Sequence, residues 1–331
     1  MNVTFPYKLE YNTTQEILDN LDNSLDVVGV TVDFSRLRFS TPTAMLVVGS
    51  KLRRWIEYRR VRGFGSWYTG ISVSVKAHSY LMHLGFFDFI HSDEGKNVGE
   101  ARGSENYLPI KRITRPNIDV HQTGVRRWYN VIEAEARQVA AVLVGSHDDT
   151  EELRTYTYCI REIIRNVFEH SEAEECYIVG QRWSNGHVEI ALVDEGIGIC
   201  NTLRDSEWSR SDAETLLMAT QAGVSRTSQL HADQNIYDNS GFGLFVLTQL
   251  AASFGWFALG SGTAQLVGYK QDRFQVKSSF SGTYFGMKLF SPPQDFAAVL
   301  DDIIEAGEQE AKVAGINAKA SGQSKLVGVD R

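Results

Sequence analysis

The chain has 331 residues, of which 43% are hydrophobic and 22% are charged, and its formal net charge is −8. This length accommodates two ordinary domains with separate cores. The acidic balance argues against a general nucleic-acid surface, because such a surface needs a basic face.

The three cysteines are Cys159, Cys176 and Cys200, and they share no metal-ligand spacing. They indicate reduced thiols in a cytoplasmic protein. The first residues lack a basic stretch followed by an apolar core, and no apolar run approaches the ~20 residues of a membrane helix. We therefore expect a cytosolic protein that does not enter a membrane.

The first 90 residues alternate short apolar runs with amphipathic stretches, which is typical of an α/β arrangement. The β-branched run Val28–Phe34 predicts a strand. Apolar residues at helical spacing predict a helix over residues 43–60. A second strand is predicted over Gly70–Val75, followed by a short helix around His78–Leu84.

Basic residues are concentrated towards the end of the helix predicted over residues 43–60. We interpret them as the charged, solvated end of an amphipathic helix, since exposed helix faces are usually charged. A local basic patch for nucleic acid is the alternative. The residues are Lys51, Arg53, Arg54, Arg59, Arg60 and Arg62.

Residues 91–125 are rich in Gly, Asp, Glu, Asn and Ser, and they predict a linker with one strand at Tyr107–Ile113. From about residue 126 the pattern is a helix, a long helix, two strands, an irregular segment, a helix and several strands. The tail from Lys319 has little to bury, and we expect it to be disordered. The predicted organisation is a domain over 1–92, a linker over 93–125, a domain over 126–292, a helix over 293–315 and a tail over 316–331.

Glu162 and Asn166 lie four residues apart in the helix predicted over Tyr156–Ser171, so they share one helix face. The amide oxygen of Asn166 can complete a magnesium shell. The Glu162 carboxylate can deprotonate a water for attack on a phosphoryl group. A solvated helix face is the alternative interpretation of the same spacing.

An acid and two glycines, Asp194, Gly196 and Gly198, follow the strand predicted over His187–Val193. Glycines permit close approach of the backbone to a flat ligand. The Asp194 carboxylate can accept a hydrogen bond from the exocyclic amine of adenine, whereas guanine offers a carbonyl at that place. An ordinary glycine-rich turn is the alternative.

Two further segments have a spacing that suits a nucleotide. A glycine-containing run opens the apolar helix predicted over Leu244–Phe254, and backbone N–H groups at such a helix start can bind a triphosphate. Thr283 follows Gly282 just before a predicted strand, and its hydroxyl could support Asp194 beneath adenine. The residues of the helix start are Ser240, Gly241, Phe242, Gly243 and Leu244.

In this order and spacing, the four segments resemble the nucleotide-binding boxes of the gyrase, heat-shock-chaperone, histidine-kinase and mismatch-repair (GHKL) family. The resemblance covers about residues 126–290 and implies a GHKL (Bergerat) α/β sandwich, with helices on one face of a mixed sheet. No P-loop motif and no complete Rossmann fingerprint occurs in the sequence.

The GHKL resemblance implies that ATP and Mg²⁺ bind this half of the chain. By this resemblance Asp194 holds adenine, Gly196 and Gly198 line the base pocket, and Asn166 binds magnesium. Glu162 is then the candidate catalytic residue, and it could also reach the metal through a water.

Two more residues are assigned through the same resemblance. Family members that hydrolyse ATP, and the anti-sigma-factor serine kinases, carry a Glu four residues before the Asn, as Glu162 stands here. A His four residues after the Asn, as His170 stands here, also resembles the pattern of those kinases. His170 is therefore a candidate ATP-binding residue. The segment between Gly198 and Gly241 corresponds to the family's ATP lid, in which Arg226 could contact the γ-phosphate. A lid arginine without a role is the alternative.

Residues 5–92 resemble a STAS domain, the α/β fold of anti-sigma-factor antagonists. The strand, turn and helix of Val32–Met45 carry the resemblance, together with Leu81–Phe87. The chain departs from the pattern at the phosphoacceptor turn, where Thr41 replaces an Asp and a proline replaces the acceptor Ser. Thr41 or Thr43 could accept phosphate, but we expect a docking or dimer-forming scaffold for an unidentified protein partner.

Three functions remain open from the sequence: an ATP-driven switch with slow hydrolysis, a serine/threonine protein kinase, and a non-catalytic ATP-binding adaptor. Glu162 favours the first two, because an adaptor has no use for a base. The switch is preferred over the kinase because the STAS-like part is fused and its acceptor turn is altered. A sensor histidine kinase is disfavoured, since the helix predicted over 126–144 contains no histidine. Family members often pair, so a homodimer is compatible with the resemblance.

Overall fold

The computed structural model describes residues 1–120, 124–203, 210–225, 237, 240–316 and 318–322. It is a mixed α/β structure with about 43% helix and 25% strand. In the part of the chain that is described, no helix is both long and apolar enough to cross a membrane.

The N-terminal part is built on a parallel sheet with the strand order β1-β3-β5, beside which β2 pairs with β4. Its strands are β1 Asn2–Thr4, β2 Lys8–Leu9, β3 Gly29–Asp33, β4 Phe39–Ser40 and β5 Gly65–Thr69. Its helices are α1 Thr14–Asn23, α2 Pro42–Val61, α3 Lys76–Leu84 and α4 Phe86–Phe89.

The predicted strand at Val28–Phe34 and the helices predicted over 43–60 and around His78–Leu84 are confirmed. The predicted strand at Gly70–Val75 is wrong. The pairing segment is β5, which lies directly before it and runs in parallel register with β3. Composition alone does not show which of two neighbouring segments pairs with β3. The choice depends on register with the partner strand.

The second sheet has the order β6-β7-β8-β10-β9, and every pairing between these described strands is antiparallel. The expectation of a mixed sheet is therefore wrong. Hairpins join β7 to β8 and β9 to β10, and β10 returns alongside β8. Strand β6 also shows that part of the predicted 93–125 linker belongs to the sheet. The strands are β6 Tyr107–Thr114, β7 Glu175–Arg182, β8 Val188–Asp194, β9 Gly255–Tyr269 and β10 Asp272–Leu289.

Helices of the C-terminal part pack on one face of this sheet, and they include the predicted helices over 126–144, Tyr156–Ser171, Leu244–Phe254 and 293–315. The helices are α5 Val125–Val144, α6 Glu151–His170, α7 Ile199–Thr202, α8 Asp212–Ala219, α9 Gly243–Phe254 and α10 Phe296–Val313.

Helix α2 covers the opposite face of the same sheet. Every residue of β8 is buried, because alternate side chains face the two layers. Ile190 and Leu192 join the core beneath α5, α6 and α9, whereas Ala191 and Val193 join the core beneath α2. The second core contains residues from both halves of the chain.

A buried polar contact lies at the centre of the α2 interface. The backbone N–H and the hydroxyl of Thr43 donate to Glu189 Oε1 at 3.2 and 2.9 Å. Burial raises the pKa of Glu189 against the opposing hydrogen bonds from Thr43. The first turn of α2 thus receives its acceptor from a strand 146 residues away.

Part of the basic run of α2 is buried or half-buried, so its interpretation as a solvated helix end is wrong for Lys51, Arg53, Arg54 and Arg59. Arg59 is fully buried and donates to the carbonyls of Ser24, Leu25 and Val27. Lys51, half-buried, forms an ion pair with Asp22 at 2.5 Å. Partners distant in sequence decide this burial, so helical periodicity does not reveal it.

Residues 318–322 of the predicted tail contact the C-terminal half. Ala318 and Ala320 pack against the core of the C-terminal half. The backbone N–H of Ser321 donates to Ser240 Oγ at 3.2 Å. Residues 323–331 lie outside the described residues.

Candidate functional site

A cavity lies between α6, the end of β8, α7, the start of α9 and the middle of β10. It is lined by most of the side chains predicted from the sequence to bind a nucleotide. These predicted residues are Glu162, Asn166, His170, Asp194, Ser240, Gly241, Gly243, Leu244 and Thr283.

Three predicted residues do not line this cavity. The Phe242 side chain is fully buried and stacks edge to face with Phe245 in the core. Gly196 and Gly198 stand beside the cavity and shape it through packing, as described below. Arg226 and most of the predicted lid lie outside the described residues.

Helix α6 brings the first group of side chains to the cavity. Its start is fixed by Thr150, whose hydroxyl accepts a hydrogen bond from the Leu153 N–H at 3.1 Å. Apolar residues on one stripe pack the helix against the sheet, while Asn166 and His170 are half-buried at the cavity. The four-residue spacing of Glu162, Asn166 and His170 stacks the three along one helix face.

Asp194 closes the opposite wall, at the end of β8. It is 2% exposed, and its Oδ1 accepts a hydrogen bond from the Gly196 N–H at 2.9 Å. Burial raises the pKa of Asp194 to about 7, although hydrogen bonds from the backbones of Gly196 and Thr283 and from Ser171 act in the opposite direction. A carboxyl group of this kind is poised to exchange hydrogen bonds with a buried polar ligand.

Gly196 and Gly198 allow the loop after β8 to pass close to its neighbours. A Cβ on Gly196 would overlap the Ser171 carbonyl, which accepts a hydrogen bond from the Ile197 N–H at 2.9 Å. Gly198 has a φ of +80°, and a Cβ there would lie 2.6 Å from Ser261 Oγ. These glycines permit the close packing of the loop that follows Asp194, and they do not themselves contact the cavity.

Thr283 on β10 supports the same end of the cavity. It is the register partner of Asp194, and its Oγ1 accepts a hydrogen bond from the Ile199 N–H at 3.0 Å. The hydroxyl therefore ties β10 to the start of α7, directly beside the buried acid.

Apolar side chains surround this buried polar group. They come from both helices and strands, so the end of the cavity near Asp194 offers a flat aromatic ligand apolar walls and a few polar contacts. The apolar lining includes Ile163, Val167, Leu192, Ile199, Leu247, Leu259 and Phe285.

The other end of the cavity is the N-terminus of α9. The residue before this 12-residue helix is Phe242, which has no polar side chain with which to cap it. Gly241 has a φ of +75°, and its carbonyl accepts a hydrogen bond from the Gly223 N–H at 3.1 Å. Ser240, Gly241 and Gly243 line the cavity, so a helix start and its preceding loop face the same space as Asn166.

Glu162 lies beside this helix start but is held by two arginines. Its Oε1 lies 2.8 Å from Arg161 Nη2 and 3.3 Å from Arg165 Nη1. Burial by itself raises the pKa of Glu162, but the guanidinium groups of Arg165 and Arg161 outweigh it and lower the pKa below its ordinary value. The carboxylate is thus ionised and strongly hydrogen-bonded, which weakens it as a base.

The sequence did not single out Arg165 and Glu169, although both line the cavity. Arg165 Nε donates to Glu169 Oε1 at 3.0 Å, four residues along the same helix. Arg165 lies three residues after Glu162, and Glu169 lies three residues after Asn166. Helical spacing therefore places them near the selected pair and could have identified them from the sequence.

The residues that line the cavity satisfy the donor chemistry of a magnesium site only in part. Asn166 supplies a neutral oxygen, and Glu162 supplies a carboxylate that is engaged by arginines. Within the described ranges, no group of three or more His, Cys, Asp or Glu side chains is placed to hold a metal ion. This composition suits an ion held mainly by phosphate oxygens and waters, with Asn166 as one protein ligand.

The turn at the start of α2, which contains Thr41 and Thr43, packs against the sheet. Thr43 is 2% exposed, and its hydroxyl is bonded to Glu189. Phosphorylation of Thr43 would require α2 to leave the sheet, whereas Thr41 is half-buried at the start of this helix.

Comparison of the chain with protein-family models, with curated proteins and with solved structures gave no significant match in any of the three searches.

Proposed function

We propose that the chain is an ATP-binding protein of the GHKL type, and that it uses ATP as a conformational switch with slow hydrolysis. One observation carries the proposal. A single cavity collects residues from four separated segments, with a buried acid at one end and an uncapped helix start at the other. This pairing of an apolar, acid-floored pocket with an anion-binding terminus matches the two ends of a nucleotide.

The base end would recognise adenine through Asp194. The carboxyl group accepts a hydrogen bond from the exocyclic amine, and Thr283 and the loop after β8 keep it in position. The apolar lining excludes water from this contact and favours a flat ring.

The phosphate end would use the N–H groups of the α9 start, with Ser240 and Gly241 in the preceding loop. Mg²⁺ would neutralise the phosphate charge when bound, with Asn166 as a protein ligand. Arg165 supplies a cation at this end, close to Glu162 and Glu169.

Hydrolysis would require Glu162 to be released from its arginines. A carboxylate that accepts hydrogen bonds from two guanidinium groups cannot take a proton from water at the same time. A triphosphate competes for the same guanidinium groups, because they bind phosphate as well as carboxylate. Slow turnover follows if this exchange precedes each cycle, and it would give the switch its ATP-bound lifetime.

A non-catalytic ATP-binding adaptor is the second candidate, and the ion pairs of Glu162 are the observation that favours it. In that case Glu162 holds Arg161 and Arg165 in place for binding only. A protein partner on the STAS-like part, or a second copy of the chain, would then sense bound ATP.

The test is titration of the purified protein with Mg-ATP, followed by incubation with γ-labelled ATP, alone and with cell extract. We expect saturable binding and slow release of free phosphate. Labelled protein would indicate a kinase, and binding without release an adaptor. Asp194→Asn should weaken ATP binding at least about ten-fold, whereas Asp272→Asn, on the exposed hairpin, should not change it. Equal affinity of Asp194→Asn and the wild type would remove the adenine assignment.

A further inference from the structure

The residue after Asp194 connects the candidate base pocket to helix α2. Side chains alternate between the two faces of β8, so Asp194 faces the cavity and Glu195 faces the N-terminal part. Glu195 Oε1 accepts a hydrogen bond from the Ser50 hydroxyl at 2.9 Å, and Ser50 is fully buried in α2. The backbone directly after Asp194 is therefore anchored from the opposite side of the sheet.

Arg54 of α2 bridges the two strands that form this end of the cavity. Its Nη1 donates to the Ser281 carbonyl at 3.1 Å and to the Glu195 carbonyl at 3.4 Å. Glu195 directly follows Asp194, and Ser281 precedes Thr283 by two residues. Asp194 and Thr283 are themselves register partners between β8 and β10. One guanidinium group thus bridges the two strands one residue after Asp194 and two residues before Thr283.

The two strands that Arg54 bridges are in close backbone contact, so a shift of one strand is transmitted to the other. A Cβ on Gly282 would overlap the Asp194 carbonyl, so the two backbones are in close contact. Gly282 O also accepts a hydrogen bond from the Ser261 hydroxyl at 2.7 Å. A small displacement of either carbonyl that Arg54 holds would therefore move Asp194 relative to Thr283.

We propose that Arg54 is a positioning residue for base recognition, so that the N-terminal part sets how well the pocket distinguishes adenine from other bases. This inference rests on the proposed function, because it assumes that the base binds beside Asp194. Helix α2 packs on β7, β8 and β10, whereas the phosphate end is formed by α6 and α9. Loss of Arg54 should thus affect the base end selectively.

A purely structural role for Arg54 makes a different prediction. If Arg54 only fastens α2 to the sheet, its removal loosens the whole cavity, and nucleotides lose affinity irrespective of their base. Comparison of ATP with inosine triphosphate separates these roles. The two nucleotides share ribose and triphosphate, but inosine lacks the exocyclic amine that Asp194 would bind.

The experiment measures dissociation constants of Mg-ATP and Mg-inosine triphosphate for the full chain by competition with a fluorescent ATP analogue. Arg54→Ala should weaken ATP binding about five- to ten-fold and leave inosine triphosphate within about two-fold, so that discrimination falls. Arg60→Ala is the matched control, because Arg60 is exposed on the same helix. It should retain both wild-type constants.

Each outcome decides one question. A wild type that does not bind ATP contradicts the proposed function itself. Equal losses for both nucleotides in Arg54→Ala, or constants equal to those of Arg60→Ala, overturn the positioning role while the proposed function stands. Circular dichroism confirms that each variant is folded. If Arg54→Ala does not fold, Arg54→Gln, which keeps a shorter donor, replaces it under the same criteria.

Discussion

Two buried carboxyl groups of the candidate site have pKa values shifted in opposite directions. Asp194 lies among apolar side chains, and burial raises its pKa to about 7. Glu162 is equally buried, but Arg165 and Arg161 lower its pKa. Environments that separate the pKa values of two acids allow them to serve different roles at one pH. The environment of Asp194 is therefore compatible with the proposed contact to a neutral base, whereas Glu162 balances the charges of Arg161 and Arg165.

The raised pKa of Asp194 gives the folded protein a specific pH dependence. The folded state retains a proton on Asp194 up to about pH 7, whereas the unfolded chain loses it near its ordinary pKa of about 4. The folded state thus binds more protons in this interval, and the free energy of unfolding falls as the pH rises through it.

Urea unfolding of the wild type and Asp194→Asn at pH 5 and pH 8 tests this dependence. We expect the wild type to lose about 2–3 kcal/mol more than the variant between these pH values. The difference between the two proteins isolates Asp194 from Glu189 and Glu195, whose pKa values are also raised by burial. Parallel pH profiles would contradict the assigned environment of Asp194.

Glu162→Gln separates binding from turnover. The amide keeps the side-chain shape but removes the charge that pairs with Arg161 and Arg165, of which Arg165 keeps Glu169, so we expect a loss of about 3 kcal/mol in unfolding free energy. ATP binding should persist, and phosphate release should fall at least about 100-fold. Release at the wild-type rate, measured in single-turnover assays, would remove Glu162 from the mechanism.

At the scale of elements, the docking of α2 depends on one close approach to β10. A Cβ on Gly286 would overlap the Thr43 side chain, and Thr43 is bonded to the buried Glu189. The helix start, the glycine and the acid come from three segments, and each fits only when the other two are in place.

Gly286→Ala should lower the free energy of unfolding by about 1–3 kcal/mol through overpacking. Thr43→Ala shortens the obstructing side chain, so the double variant should be more stable than the sum of the single losses predicts. Urea unfolding of all four proteins measures this coupling. Strict additivity would show that the two residues do not meet at the interface.

At the scale of the whole molecule, the antiparallel sheet has a helical layer on each face. The N-terminal part supplies one layer and the C-terminal helices the other, and the core beneath α2 contains residues of both parts. Neither part can leave without exposing an apolar face of the sheet, which makes the two interdependent.

This shared core predicts one cooperative unfolding transition. Hydrogen exchange of peptides from α2 and from α5, followed by mass spectrometry in increasing urea, should give coincident midpoints. Exchange of α2 at clearly lower urea, while α5 stays protected, would show that the N-terminal part unfolds independently.

Several features of the fold follow from sequence because their causes are local. Helices α2, α5, α6, α9 and α10 have apolar residues at helical spacing, and α6 also has a capping Thr150. The candidate site residues on α6 could be predicted from sequence for the same reason, since spacing alone places Glu162 and Asn166 on one face. Glycine spacing likewise marked the loop after β8, although its glycines act through packing.

Features that depend on distant partners could not be predicted in this way. Strand β5 was misplaced because its register is set by β3. The mixed sheet was implied by the resemblance, and the local sequence could not correct it because strand direction depends on how distant strands connect. The burial of the basic run in α2 was missed for the same reason, whereas Arg161 and Arg165 lie on the same helix as Glu162 and could have been found from local spacing. Burial is a property of what surrounds a side chain in the folded protein, which its own segment does not encode.

The sequence by itself determined the residue types present at the candidate site and the helices and loops that present them. Only the tertiary structure decided that Asp194 is buried and that Glu162 is buried together with its two arginines. It also decided that Arg54 reaches the strands of the base end. The physical reason is the same in each case: local spacing fixes which side chains share a face, whereas burial and long-range packing fix their charge state and their partners.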